Sequence, residues 1–227
     1  MRVRSSASSS WRSRVSFQTG ASALAYVQVT SDIVQMHGHM LFQGADPSHG
    51  RELWGSDGYS AWNVDDMRPG SSGAVPKYFT EFKDRLYLSG AAVDSFSREL
   101  YWYPLQDILD RKDVNATVVT GFEREFGSAP EYLCRYEGLG PDALYMSVIV
   151  ADGTSRELYR YLGAGVPELV MGSTVFVVPL NPKHLTVFDG RLFFAASDVN
   201  TGQELYWHNG VDLPSMIPEG VAGRQGS

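Results

Sequence analysis

The chain has 227 residues, 43% of them hydrophobic, and a formal charge of −7. That is enough for one domain with a sizeable core, and too apolar for a disordered chain. The acidic balance argues against a broad nucleic-acid-binding face, which needs an excess of Lys and Arg. A single cysteine, Cys134, excludes an internal disulfide framework and any multi-cysteine metal site. No apolar run approaches the ~20 residues that span a bilayer.

Residues 1–25 differ from the rest. Arg2, Arg4, Arg12 and Arg14 precede the first acid, Asp32, and eight serines fall between Ser5 and Ser22. An Arg- and Ser-rich, acid-poor start matches an organelle transit peptide or a disordered extension. It lacks the apolar stretch of a secretory signal. The expected organisation is this extension, one domain over residues 26–220, and a tail over 221–227.

A Glu-Leu-aromatic triplet occurs four times in the body: Glu52-Leu53-Trp54, Glu99-Leu100-Tyr101, Glu157-Leu158-Tyr159 and Glu204-Leu205-Tyr206. Arg51, Arg98, Arg156 and Gln203 precede the glutamates. Asp46, Asp94, Asp152 and Asp198 lie five or six residues before them. A Leu-aromatic pair stands earlier still: Leu41-Phe42, Leu86-Tyr87, Leu144-Tyr145 and Leu192-Phe193. Three units open with Pro76-Lys77-Tyr78, Pro130-Glu131-Tyr132 and Pro182-Lys183-His184. Columns aligned across four units mark an internal repeat.

Each unit reads as four short strands. In the last, Leu185–Phe188 leads to the turn Asp189-Gly190, and Leu192–Ala196 leads to a polar turn. Glu204–Trp207 then leads to Asn209-Gly210, and a final strand lies near Val211–Ile217. Asp-Gly and Asn-Gly are hairpin-turn signals because both residues accept positive φ. Closely spaced turns without helical periodicity predict an all-β fold of about sixteen strands. A tandem four-strand unit has the size of a β-propeller blade. The fold class is therefore all-β and propeller-like, with four blades forming a closed ring or part of a larger one. The second unit carries an insertion, Pro104 to Asp113, long enough for one or two helical turns. Its Leu105, Ile108 and Leu109 would form an apolar ridge suited to a partner interface. Gly138 to Pro141 lengthen a hairpin in the third unit.

These columns resemble the ELW-DGT repeat proteins, a family of propeller-like tandem repeats. The first unit carries Gly50-Arg51-Glu52-Leu53-Trp54-Gly55-Ser56-Asp57-Gly58, and the last keeps Gly202-Gln203-Glu204-Leu205-Tyr206 with Asn209-Gly210. The middle units lose the Asp-Gly step, and the signature Thr is absent. The resemblance covers roughly residues 33–220. It implies an extracellular or cell-surface interaction module, and it does not establish chemistry.

No motif singles out a catalytic, cofactor or metal residue. The repeated Asp and Glu suit calcium in type but fall short of its six to eight oxygens, so turn capping and strand bonding are the expected roles. His37 and His39, near His49, match a zinc pair only if strict alternation holds, and the turn His37-Gly38 breaks it. Cys134 reads as a small core residue rather than a nucleophile. Trp62, Trp102 and Trp207 stand outside the shared aromatic column and read as packing or as sugar-stacking faces. Asn115-Ala116-Thr117 is a glycosylation sequon. The functional expectation is a non-enzymatic module for a protein or glycan partner. The alternative is a propeller-type glycan hydrolase or lyase with acids at the central channel.

Overall fold

The computed structural model describes residues 14–16, 26–31, 33–91, 97–122, 128–149, 153–171, 181–198 and 202–218. They form four antiparallel sheets in chain order. The first holds six strands: β1 (Arg14–Ser16), β2 (Tyr26–Val29), β3 (Val34–Met36), β4 (His39–Asp46), β5 (Gly50–Ser56) and β6 (Ala61–Asp65). The second is β7 (Lys77–Phe82), β8 (Arg85–Gly90), β9 (Glu99–Pro104) and β10 (Thr117–Val118), with the helix α1 (Leu105–Leu109) between the last two. The third is β11 (Glu131–Tyr136), β12 (Ala143–Ile149), β13 (Arg156–Tyr161) and β14 (Glu168–Met171). The fourth is β15 (Lys183–Phe188), β16 (Arg191–Asp198), β17 (Gly202–His208) and β18 (Ser215–Met216). No closed barrel or propeller is detected among the described residues.

The extra strands of the first sheet come partly from the basic N-terminal segment, where Arg14–Ser16 pairs with Tyr26–Val29. The other residues of 1–25 lie outside the described residues, as does the tail from 219. Turn chemistry fixes the hairpins. His37-Gly38, Lys83-Asp84 and Asp189-Gly190 all take positive φ at both positions, the twist that joins antiparallel strands tightly. Asp57 Oδ1 accepts the Tyr59 and Ser60 N–H groups at 2.8 and 2.7 Å. Asn209 Oδ1 does the same for Val211 and Asp212 at 3.0 and 2.8 Å. The Asp-Gly and Asn-Gly steps are thus side-chain-capped turns.

Strand pairing corrects one sequence column. Glu99 and Glu157 face Gly90 and Val148, while Glu52 faces Gly44. Counting back three residues from these partners aligns Leu41 with Tyr87 and Tyr145. The first-sheet counterpart of Leu86-Tyr87 is therefore Met40-Leu41, one residue earlier than the sequence pair. Cys134 shares its column with Thr80 and Thr186, the three pairing with Tyr145, Tyr87 and Phe193 in turn.

Side chains alternate between two faces along each strand, and the buried clusters lie between consecutive sheets. Leu53 of the first sheet packs with Leu88, Tyr101 and Tyr103 of the second. Leu100 and Tyr87 of the second pack with Leu144, Met146 and Val148 of the third. Leu158 and Tyr145 of the third pack with Leu192, Phe194 and Ala196 of the fourth. The second and third sheets thus have a leading face toward their predecessor and a trailing face toward their successor, while the first sheet joins a seam only by its trailing face and the fourth only by its leading face. Polar bonds cross the same seams. The N–H groups of Val75, Ala129 and Asn181 donate to the carbonyls of Arg51, Arg98 and Arg156 at 2.9, 2.8 and 3.1 Å.

The insertion does not form an exposed ridge. Leu105 and Ile108 are 4% and 1% exposed and join the cluster between the first two sheets. A helix of five residues is stable here because its apolar side lies in a core. Tyr103 Oη and the Ala116 N–H both donate to Asp65 Oδ2 at 2.9 Å. Arg111 pairs with Asp57 and stacks on Trp62 at 4.3 Å. The insertion therefore fastens the second sheet to the first. Ile108→Val is expected to cost about 0.5–1.5 kcal/mol in urea unfolding; no change would place Ile108 at the surface.

Candidate functional site

The glutamate column is structural in three sheets. Glu52 is fully buried, and its Oε1 accepts the N–H groups of Ala74 and Arg68 at 2.7 and 3.2 Å. Glu99 Oε2 accepts the Ser128 N–H and Oγ–H at 3.1 and 2.6 Å. Ala74 and Ser128 both stand two residues before a proline that opens the next sheet. Glu157 is also buried, whereas Glu99 and Glu204 are half-buried. Full burial of the column glutamate is thus confined to the first and third sheets. Burial pushes the Glu52 carboxyl up to about 8, against the pull of its two N–H donors and with a push from Asp66 and Asp65. Its Oε2 and the Asp66 Oδ1 are buried without hydrogen-bond partners among the described residues.

The turn aspartate of the first sheet caps its own hairpin. Asp46 Oδ1 accepts the Ser48 and His49 N–H groups at 2.8 and 2.7 Å, and the His49 ring lies within 3.0 Å. Asp94, Asp152 and the Asp198 side chain lie outside the described residues. Among the described residues no group of three or more His, Cys, Asp or Glu side chains is arranged to hold a metal ion. His37 and His39 do not converge. His37 Nε2 meets Glu81 Oε1 at 2.9 Å, while His39 Nδ1 approaches the His37 carbonyl at 3.1 Å. Burial pushes the Cys134 thiol up to about 11, so it stays protonated and a poor nucleophile. The three tryptophans share a feature the sequence did not reveal: each is covered by an arginine. Arg111, Arg85 and Arg191 lie over Trp62, Trp102 and Trp207 at 4.3, 3.9 and 4.7 Å. Cation–π stacking explains their partial burial.

The leading strands β7, β11 and β15 lie side by side, and they assemble the most distinctive surface. Tyr78, Tyr132 and His184 occupy one position in the three strands. Their rings form a row, with centroids 5.6 Å apart for the tyrosines and 5.2 Å from Tyr132 to His184. All three residues have left-handed backbone, φ 59, 54 and 55°, and each sits where the strand register shifts. A bulged residue re-aims its side chain, and left-handed φ is strained for a bulky residue. The residues before the prolines, Val75, Ala129 and Asn181, are also left-handed. Arginines clamp this backbone. Arg98 donates to the Val75 and Ser89 carbonyls at 2.9 and 2.6 Å. Arg156 donates to the Ser147 carbonyl at 2.8 Å and to the Ala129 carbonyl. Arg156 also lies 3.6 Å from Glu131. Burial, and then Glu131, push the Tyr78 hydroxyl up, so it remains a neutral donor.

At the other end of the same strands a cleft of roughly 190 Å³ is lined by Glu81, Lys83, Asp84, Arg135, Glu137 and Asp142. One strand row thus runs from an aromatic end to a charged end. Aromatic faces bind apolar ring or side-chain surfaces, and a mixed-charge cleft supplies directed hydrogen bonds. The Pro-Lys-Tyr, Pro-Glu-Tyr and Pro-Lys-His segments carried the signal, but their alternation read as ordinary strand. No protein-family model and no curated protein matches the sequence.

Proposed function

We propose that the four sheets are copies of one repeat, the successive blades of a propeller-like ring or of part of one. On this reading the chain is a non-enzymatic interaction module for a protein or glycan partner, in the manner of the ELW-DGT repeats it resembles. The observation that supports it is the row Tyr78–Tyr132–His184 on adjacent leading strands, the strands that face the centre of a propeller. Strained backbone held by two half-buried arginines presents these rings in a fixed arrangement, which is how a preformed binding surface is built. Tyr132→Ala is expected to weaken binding of soluble glycans or a captured protein partner by about 2- to 12-fold. Tyr59→Ala, at a residue 90% exposed on another turn, should leave it unchanged. Equal affinity of Tyr132→Ala and the natural chain, by calorimetry, would remove the row from the binding surface.

The second reading, a glycan hydrolase or lyase, belongs to the cleft beside Glu81, where Glu137 and Asp142 supply acids and His37 bonds Glu81. Reducing-end release from a polysaccharide panel, abolished by Glu137→Gln, would favour it over the binding module.

A further inference from the structure

The seams between consecutive sheets share recurring contacts, and the fourth sheet presents the same groups with none of the described residues seated on them. Leu53, Leu100 and Leu158 are fully buried by the following sheet, but Leu205 in the same column is 49% exposed. At the end of the leading strand, Phe82 and Tyr136 are 2% and 0% exposed, whereas Phe188 is 72% exposed. Arg85 stacks on Trp102 and donates to the Gly163 carbonyl of the next sheet at 3.2 Å. Arg191 stacks on Trp207 in the corresponding place. Glu52 and Glu99 receive an N–H from the next sheet, and Glu204 holds the equivalent position in the fourth sheet.

Resting on the repeat reading above, we propose that the trailing face of the fourth sheet docks a further four-stranded unit of this same pattern, carried by a partner polypeptide. The required chemistry follows from the occupied seams. The unit offers an apolar leading face to Phe188, Phe193 and Leu205. It offers Glu204 the N–H two residues before a proline, as Ala74 and Ser128 offer theirs to Glu52 and Glu99, and a left-handed pre-proline residue for the Gln203 carbonyl. A second copy of this chain has no such face free. The leading faces of its second, third and fourth sheets are buried in its own seams. Phe42 and Trp54 on the first sheet are 2% and 7% exposed, packed with Val27. The new interface continues an existing one, which fixes its register without new principles of recognition.

The test appends a second copy of residues 128–171, the third unit, through a flexible linker to the C-terminus of the intact chain. That unit already makes this contact with the second sheet. Docking is expected to slow amide exchange in β17 by about tenfold or more and to shift Trp207 fluorescence to the blue. Leu205→Asp in the extended chain should abolish both effects while leaving the unextended chain's melting temperature unchanged. Exchange and fluorescence equal to those of the unextended chain would overturn the proposal. So would concentration-dependent dimerisation of the unextended chain that Leu205→Asp abolishes, since that places a second copy on the face. Tyr132→Ala separates the two readings: it should weaken partner binding at the aromatic row and leave docking of the appended unit intact.

Discussion

Replacing Leu100 by Ala is expected to lower the unfolding free energy by about 2–5 kcal/mol, and replacing Leu205 by Ala to lower it by less than about 1 kcal/mol. Both leucines follow the column glutamate and stand on a central strand, so intrinsic propensity does not separate them. Their surroundings do. Leu100 is fully buried among Leu144, Met146 and Val148 of the following sheet. Its truncation leaves a cavity that packed neighbours cannot fill. Leu205 is 49% exposed and loses few contacts. Leu53→Ala and Leu158→Ala belong with Leu100→Ala. Urea titration of the four variants checks the order, and a Leu205→Ala cost equal to the other three would mean that its face is covered in solution.

Stability is expected to fall as pH rises from about 4.5 to about 8, by roughly 2–5 kcal/mol from Glu52 alone. The sign follows from the direction of the shift. Folded Glu52 keeps its proton up to about 8, while the unfolded side chain releases it near the ordinary value of 4.5. Within that window the unfolded state binds fewer protons, so rising pH favours unfolding. The stabilisation is complete below 4.5 and lost above 8. Burial is the largest cause, and Asp66 and Asp65 add to it. Glu52→Gln carries no ionisation and keeps an acceptor for the Ala74 N–H, so its unfolding free energy should vary less with pH across this window. A Glu52→Gln profile parallel to that of the natural chain would show that Glu52 ionises in the folded state as it does in water.

The strands were legible because their signals are local. Asp57-Gly58 and Asn209-Gly210 announce turns through their own φ preferences and side-chain caps, and the Glu-Leu-aromatic triplets mark β5, β9, β13 and β17. Register was less legible. Glu52 lies eight residues from its partner Gly44 and Glu99 nine from Gly90, so aligning residue types rather than strand partners moved one column by a position. The fate of the insertion was not legible at all. Leu105, Ile108 and Leu109 have the same spacing on a surface ridge as in a core, and what decides is the distant Asp65, which fixes Tyr103 and Ala116. The aromatic row stayed hidden for a related reason. Tyr78, Tyr132 and His184 look like alternating strand residues, and only left-handed backbone at a register shift turns them into one surface. The open trailing face was invisible because Leu205 matches Leu53, Leu100 and Leu158 in type and context, and exposure depends on a neighbour outside the unit.

The stacking of consecutive sheets is tested most directly by amide hydrogen exchange at Val75, Ala129 and Asn181. None of the three lies in a strand, and each precedes a proline. Their N–H groups bond the Arg51, Arg98 and Arg156 carbonyls of the preceding sheet at 2.9, 2.8 and 3.1 Å. Exchange at all three should be as slow as in the central strands β8 and β12, because opening them requires separating two sheets. Exchange at the rate of an unstructured loop would contradict the account, since it would leave four sheets that fold without being joined at these seams.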